Sequence, residues 1–263
     1  MNRLSCFAIS LVVTGVAAVH APSVADGQAA TPANPAIDPG AITALTAMGT
    51  YLRGLKEFQV RAEVTTDDVL TDGQRIQYTS VTDMLARKPD RFRVSMASDR
   101  AERTFLYDGK SFTLWAPRVS YYATVAAPAT IEELSDRLDT KYGIEMPFVD
   151  LFRWGTPESR VGDITAATDI GPSAVENITC EQYAFRQDGL DWQIWIQKGD
   201  HPLPLKLVLT TLTDEARPQH MAVYTWNLAP SYNDAAFVFV PPANAQKITF
   251  MDMSAARAEA KKK

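Results

Sequence analysis

The sequence predicts a mainly β protein with helices (α+β): an incomplete antiparallel β-barrel whose concave face is covered by an N-terminal helix and two inserted helices. Three observations lead there. Cys180 to Thr211 reads as three consecutive alternating strands joined by tight turns. A longer run of alternating segments between Phe58 and residue 125 is broken only by short turn-forming connectors. Helical spacing occurs just before that run and once more where the run is interrupted, between about 131 and 154.

A chain of 263 residues, 46% hydrophobic and 22% charged, has the composition of a globular protein with a real core. Residues 1–25 read as an export signal. Arg3 forms a short positive region, Phe7 to Val19 an apolar one, and Ser23-Val24-Ala25 a small-residue cleavage pattern, so the expected cut follows Ala25. The apolar run is shorter than the ~20 residues that span a bilayer. No transmembrane segment is therefore expected in the mature chain, which is placed in the periplasm. Cys6 precedes the apolar run, where a lipid-modified cysteine would not stand.

Cleavage removes one base and no acid, leaving 25 basic against 31 acidic residues and moving the net charge from −5 to −6. This is no footprint for nucleic acid. Cys180 is then the sole cysteine, so no internal disulfide can form. It opens an alternating strand with no histidine nearby, the setting of a small buried hydrophobe rather than a nucleophile.

Residues 26–37, rich in Ala, Pro and Gly, read as a flexible leader, and one domain is expected over 38–253. Asp38 before Pro39 is a helix N-cap followed by a proline that needs no N–H partner. Ile42, Leu45, Met48, Leu52 and Leu55 continue at helical spacing, which predicts a helix over 39–55, with Gly49 allowing close approach to the sheet. From Phe58 the period becomes two: Phe58, Val60, Ala62 and Val64 alternate with polar residues. Strands are expected at about 75–87, 90–97, 102–108, 111–116 and 119–125. Their connectors, such as Asp108-Gly109-Lys110, are turn chemistry and predict a meander of hairpins.

Thr130 with Glu133 is a capping-box pattern, and Ile131, Leu134, Leu138 and Tyr142 line one face of a helix expected over 131–142. A second helix is expected from Pro147, carrying Phe148, Val149, Leu151, Phe152 and Trp154. Such apolar groups cannot stay in water, and they either plug the open side of the sheet or form a lid over a cavity. Strands resume at about 161–169, run through Cys180–Thr211 and 220–228, and end with Phe237–Val240 before Pro241-Pro242. In the central stretch Trp192, Ile194 and Ile196 share one face, and Leu205, Leu207 and Leu209 share the next strand's face. The tail from Ser254 ends in three lysines and reads as solvated.

Chemistry is conspicuous by its lack of pattern. The sequence holds no Gly-x-Ser-x-Gly elbow, no His-Glu-x-x-His, no phosphate loop, no dinucleotide fingerprint and no Cys-x-x-Cys. His201 and His220, the two histidines left after cleavage, have no ligand spacing around them. No metal, cofactor or catalysis is expected.

The run Tyr183-Ala184-Phe185-Arg186, Asp191 to Ile196 and Pro202-Leu203-Pro204, followed by Pro218-Gln219, Trp226 and Phe237-x-Phe239-x-Pro241-Pro242, resembles the predicted periplasmic proteins grouped as domain of unknown function 2092. That family is distantly similar to the LolA and LolB lipoprotein-carrier superfamily. The resemblance implies an open half-barrel with a helix-covered apolar side that, in the carriers, accepts acyl chains. None of Arg91, Arg93 and Arg103 can be matched to a functional arginine of the carriers, so only the apolar cavity is carried over.

The expected function is a periplasmic binding or carrier protein for a lipid or acylated ligand. Its expected contact surface is Phe58, Val60, Phe92 and Val94 on the early strands and Tyr183, Phe185, Trp192, Ile194, Leu205 and Leu207 on the late ones. Phe148, Phe152 and Trp154 form its lid. The alternative is an envelope protein-interaction module whose interior is filled by these same side chains and whose partner contact is Trp195, on the opposite face from Trp192.

Overall fold

The computed structural model of the chain describes residues 36–156 and 159–253. The expected export signal, the leader up to residue 35 and the tail from Ser254 lie outside the described residues.

Alternation places an apolar row on most of the strands, and among the described residues all twelve strands join a single open sheet. β1 (Glu57–Val69) lies inside it. The chain moves outward through β2 (Arg75–Arg87), β3 (Arg91–Ser98), β4 (Glu102–Tyr107), β5 (Ser111–Ala116) and β6 (Tyr121–Ala126). After the helical interruption it restarts at the opposite edge with β7 (Ala166–Val175) and returns through β8 (Ile178–Gln187), β9 (Leu190–Gln197), β10 (Pro204–Thr211) and β11 (Gln219–Asn227). β11 then pairs with the free side of β1, from Gln59 opposite Asn227 to Thr66 opposite His220. Every pairing is antiparallel except that of β12 (Gln246–Lys247), which lies parallel on β6. β7 and β12 end the strand order and do not meet, so the barrel is incomplete.

Helix α1 (Pro39–Gly54) starts as expected, with the Asp38 carboxylate accepting from the Gly40 N–H at 2.7 Å. It buries Ala41, Leu45, Met48 and Leu52 against Tyr183, Phe185, Trp192 and Ile194. The interruption covers the other half. Helix α2 (Ile131–Arg137) is capped by Thr130, whose hydroxyl accepts from Glu133 N–H at 3.2 Å, while the Glu133 carboxylate accepts from Ala129 N–H at 3.2 Å. Ile131, Leu134 and Leu138 pack onto Phe58, Val60, Phe92, Val94 and Phe112. Both cores share the concave face.

Several expected boundaries are corrected. The helix expected over 131–142 widens into a π-helical turn at Leu138–Tyr142 and stops at Gly143, whose φ of 65° ends it. The helix expected from Pro147 is a single turn, α3 (Asp150–Arg153), because Phe148 has a left-handed φ of 59°. The strand expected at 161–169 begins instead as a 3-10 turn and is extended only from Ala166. Phe237–Val240 is not a strand. Asn233 caps a 3-10 turn over Asp234–Phe237, and the two prolines that follow lack N–H groups for a ladder. Order also begins before residue 38, since Ile37 bridges Ala167 and Asp38 N–H donates to its carbonyl at 2.9 Å. Gly49 approaches the cover rather than the sheet: a Cβ there would stand 2.7 Å from Gly155 N.

Candidate ligand cavity

The lower half of the concave face is packed solid, but the upper half is not. Between the strands and the segment Gly143–Trp154 lies a cavity of about 580 Å³. Its floor is Val64 of β1, Met96 of β3, Phe105 of β4, Leu114 of β5, Ile194 of β9, Leu207 and Leu209 of β10 and Ala222 of β11. Ile144, Met146, Pro147, Phe148, Leu151 and Trp154 form the cover. Phe148 can turn toward the floor because of its left-handed backbone, and its ring stands 5.9 Å from that of Tyr224.

Polar groups interrupt the greasy wall. Ser80, Thr82, Arg103, His220 and Tyr224 come from the floor, Glu145 and Asp150 from the cover. Register aligns some of them: Ala62 is flanked by Tyr224 on one side and Thr82 on the other, and the row continues through Met96 to Arg103. His220 Nδ1 lies 2.8 Å from the Thr66 hydroxyl. Burial lowers the His220 pKa, and the Asp150 charge only partly opposes this. Asp150 keeps accessible surface, because it also borders an outer cleft lined by Arg153, Arg160 and Asp163. Protein still crowds its carboxyl, and the lost hydration raises its pKa against the pull of Arg153 and His220. Burial likewise raises the Tyr224 phenol, and Asp150 adds to it.

Of the residues expected to touch ligand, Phe148, Trp154, Ile194 and Leu207 stand on the cavity wall. Phe58, Val60, Phe92 and Val94 are in the core under α2, joined by Phe152, whose ring is 6.1 Å from Phe58. Tyr183, Phe185 and Trp192 are in the core under α1, with the Phe185 and Trp192 rings stacked at 4.2 Å. The expected position of Leu205 is corrected. A bulge between Pro204 and Lys206 breaks the alternation, and Leu205 packs on the outer face with Cys180, Trp195 and Val208. Trp195 is not open to a partner either: it is buried, its indole N–H donates to Ser173 at 3.2 Å, and the Lys206 ammonium covers the ring at 4.7 Å. Cys180 is fully buried in that cluster, and burial pushes its thiol pKa up.

Sequence reasoning missed Thr82, Asp150 and Met96 on this wall. The signal was parity, since Ser80, Thr82 and Met84 share a face of β2, but parity without register does not say which residues meet across the sheet.

A helix-roofed β half-barrel with an internal cavity is thus the class of protein that the fold and site define. The chain belongs to the family described as "Predicted periplasmic protein (DUF2092)", which matches residues 41–251, and it is a periplasmic protein. None of the curated proteins matches the sequence. Among solved structures it is similar to LprF from Mycobacterium bovis (15% identity, 81% of this chain and 100% of that one, TM-score 0.45). An uncharacterized conserved protein from Thermus thermophilus is similar at 11% identity (80% and 99%, TM-score 0.45). So is a LolA superfamily protein from Nitrosomonas europaea, at 12% identity (76% and 97%, TM-score 0.31).

Proposed function

We propose that this protein holds a lipid or another amphiphile in the cavity between its sheet and the segment Gly143–Trp154, as a periplasmic binding or carrier protein without catalysis of its own. The observation that carries the reading is the space itself. At about 580 Å³ it has the size of a small-molecule site, and most of its wall is aliphatic or aromatic. Burying acyl chain stabilises by about 0.8 kcal/mol per CH₂. A dozen methylenes would then give roughly 10 kcal/mol before ordering costs, without any charged anchor. Trp154 and Phe148 serve as the lid side chains, and Ile194 and Leu207 as the floor under the chain.

The test uses residues 26–263, the form left by the expected cut after Ala25. Extraction of the purified protein with organic solvent should release co-purified lipid, read by mass spectrometry. The delipidated protein should bind N-phenylnaphthylamine, a neutral apolar fluorophore. Leu207→Trp, which fills the cavity from its floor, should abolish that binding with little change in melting temperature. A lipid-free extract together with probe binding that ignores Leu207→Trp would refute the reading.

A further inference from the structure

We propose that the ligand's polar group is an uncharged, hydroxyl-bearing one, held across the cavity floor by Thr82 and Tyr224 and faced by Asp150. This rests on the reading of the cavity as an amphiphile site and adds which polar chemistry that site takes.

The first support is a pair of hydroxyls with nothing to bond. Thr82 is 2% and Tyr224 7% exposed, and both line the cavity. Among the described residues neither hydroxyl has a hydrogen-bond partner. Of the other buried hydroxyls, Thr113 meets Thr124 at 2.8 Å and Tyr107 donates to the Pro128 carbonyl at 2.5 Å, while Ser135 and Tyr183, away from the cavity, have no partner among the described residues. Buried polar groups are nearly always partnered in native proteins. Trp192 Nε1 is the only side-chain polar atom among the described residues that is both sealed off and unpartnered, so the two hydroxyls on this wall stay open to the cavity and free to bond a polar group of a bound molecule.

Their placement is built by the strand register. Tyr224 and Thr82 flank Ala62 in one row, two strand spacings apart, or about 10 Å. Ala62 contributes only a methyl group between them, which leaves room for a headgroup bridging the two hydroxyls.

Charge selects the kind of headgroup. Arg103 ends the row, His220 stands two same-face steps from it beyond Ala222, and Glu145 and Asp150 face it from the cover. His220 is held toward its neutral form by burial. An anion here would face Glu145 and Asp150, and a cation would face Arg103. A neutral hydroxyl donates to the Asp150 carboxylate and exchanges hydrogen bonds with Thr82 and Tyr224, leaving no charge newly unpaired.

The experiment is displacement of N-phenylnaphthylamine from the delipidated 26–263 protein at neutral pH by decanol, monodecanoylglycerol, decanoate and decane. The two hydroxyl-bearing compounds should displace it at concentrations roughly tenfold lower than decanoate or decane. Tyr224→Phe and Thr82→Val should each weaken them by roughly three- to tenfold relative to decane, after correction for each variant's own fluorophore affinity, and a wild-type-like melting temperature reports an intact fold. Asp150→Asn should narrow the gap between decanol and decanoate. Decanoate binding best, and losing its advantage in Arg103→Gln, would replace this inference with an anionic headgroup. Equal displacement by all four, untouched by the variants, overturns it while leaving the carrier reading standing. No fluorophore binding at all removes both.

Discussion

His220 and Trp192 illustrate what a single side chain contributes here. The Trp192 indole N–H is buried without a partner among the described residues, while its ring stacks on Phe185 and lies 5.7 Å from Trp154. Ring packing of about 0.5–1.5 kcal/mol per pair offsets much of the cost of one unmade hydrogen bond. His220 has a testable sign. Its folded pKa is lowered by burial, so its contribution to stability is complete above the unfolded value near 6.5 and is lost as pH falls toward the folded value, because the unfolded chain takes the proton first. Asp150, with its pKa raised by burial, acts oppositely at lower pH, where protonation relieves a crowded charge. Melting of the wild type should therefore drop between about pH 7.5 and about pH 5, and His220→Gln should reduce that drop. Parallel profiles for the two proteins would remove His220 from the account.

At the level of elements, the contact that joins the two halves of the roof is glycine on glycine. A Cβ on Gly49 of α1 would lie 2.7 Å from Gly155 N and 2.8 Å from its Cα, and Gly155 itself has a φ of 76°. Neither backbone can yield as a side-chain tip could. Gly49→Ala should cost about 1–3 kcal/mol, visible as a lower melting temperature, and should speed fluorophore release by lifting the cover. An unchanged melting temperature and release rate would mean that the helices part freely. The two inserted helices were unequally legible. α2 announces itself through Thr130, Glu133 and an apolar stripe, all local features. The single turn of α3 does not, because its start depends on the left-handed Phe148, which no propensity favours and only packing over the cavity holds in place.

For the whole molecule, an open sheet leaves two edges, and one of them is sealed by the C-terminal strap. Phe239 sits between the rings of Trp115 at 5.7 Å and Tyr122 at 5.0 Å, and Ile248 N–H donates to the Tyr122 carbonyl at 2.8 Å. The strap covers part of β6, which limits edge-to-edge association. Phe239→Ser should release it, seen as faster hydrogen exchange at the Ile248 amide and a rise in oligomers on gel filtration. Unchanged exchange would show that the two parallel β12 pairings hold the strap by themselves.

By itself the sequence determined most of the strands and turns, the position of α1 and α2, the absence of catalytic spacing and the apolar face of most strands. These are local: a period of two or of 3.6, a cap, a glycine in a turn. Only the tertiary structure decided that β11 closes onto β1, that Leu205 is turned outward by a bulge, and that most of the expected contact residues fill two cores while the open space lies above them. The reason is that a cavity is a difference between the volume a curved sheet encloses and the volume the covering side chains supply. That difference depends on register and on where the cover lands, and neither is written in any one stretch of the chain.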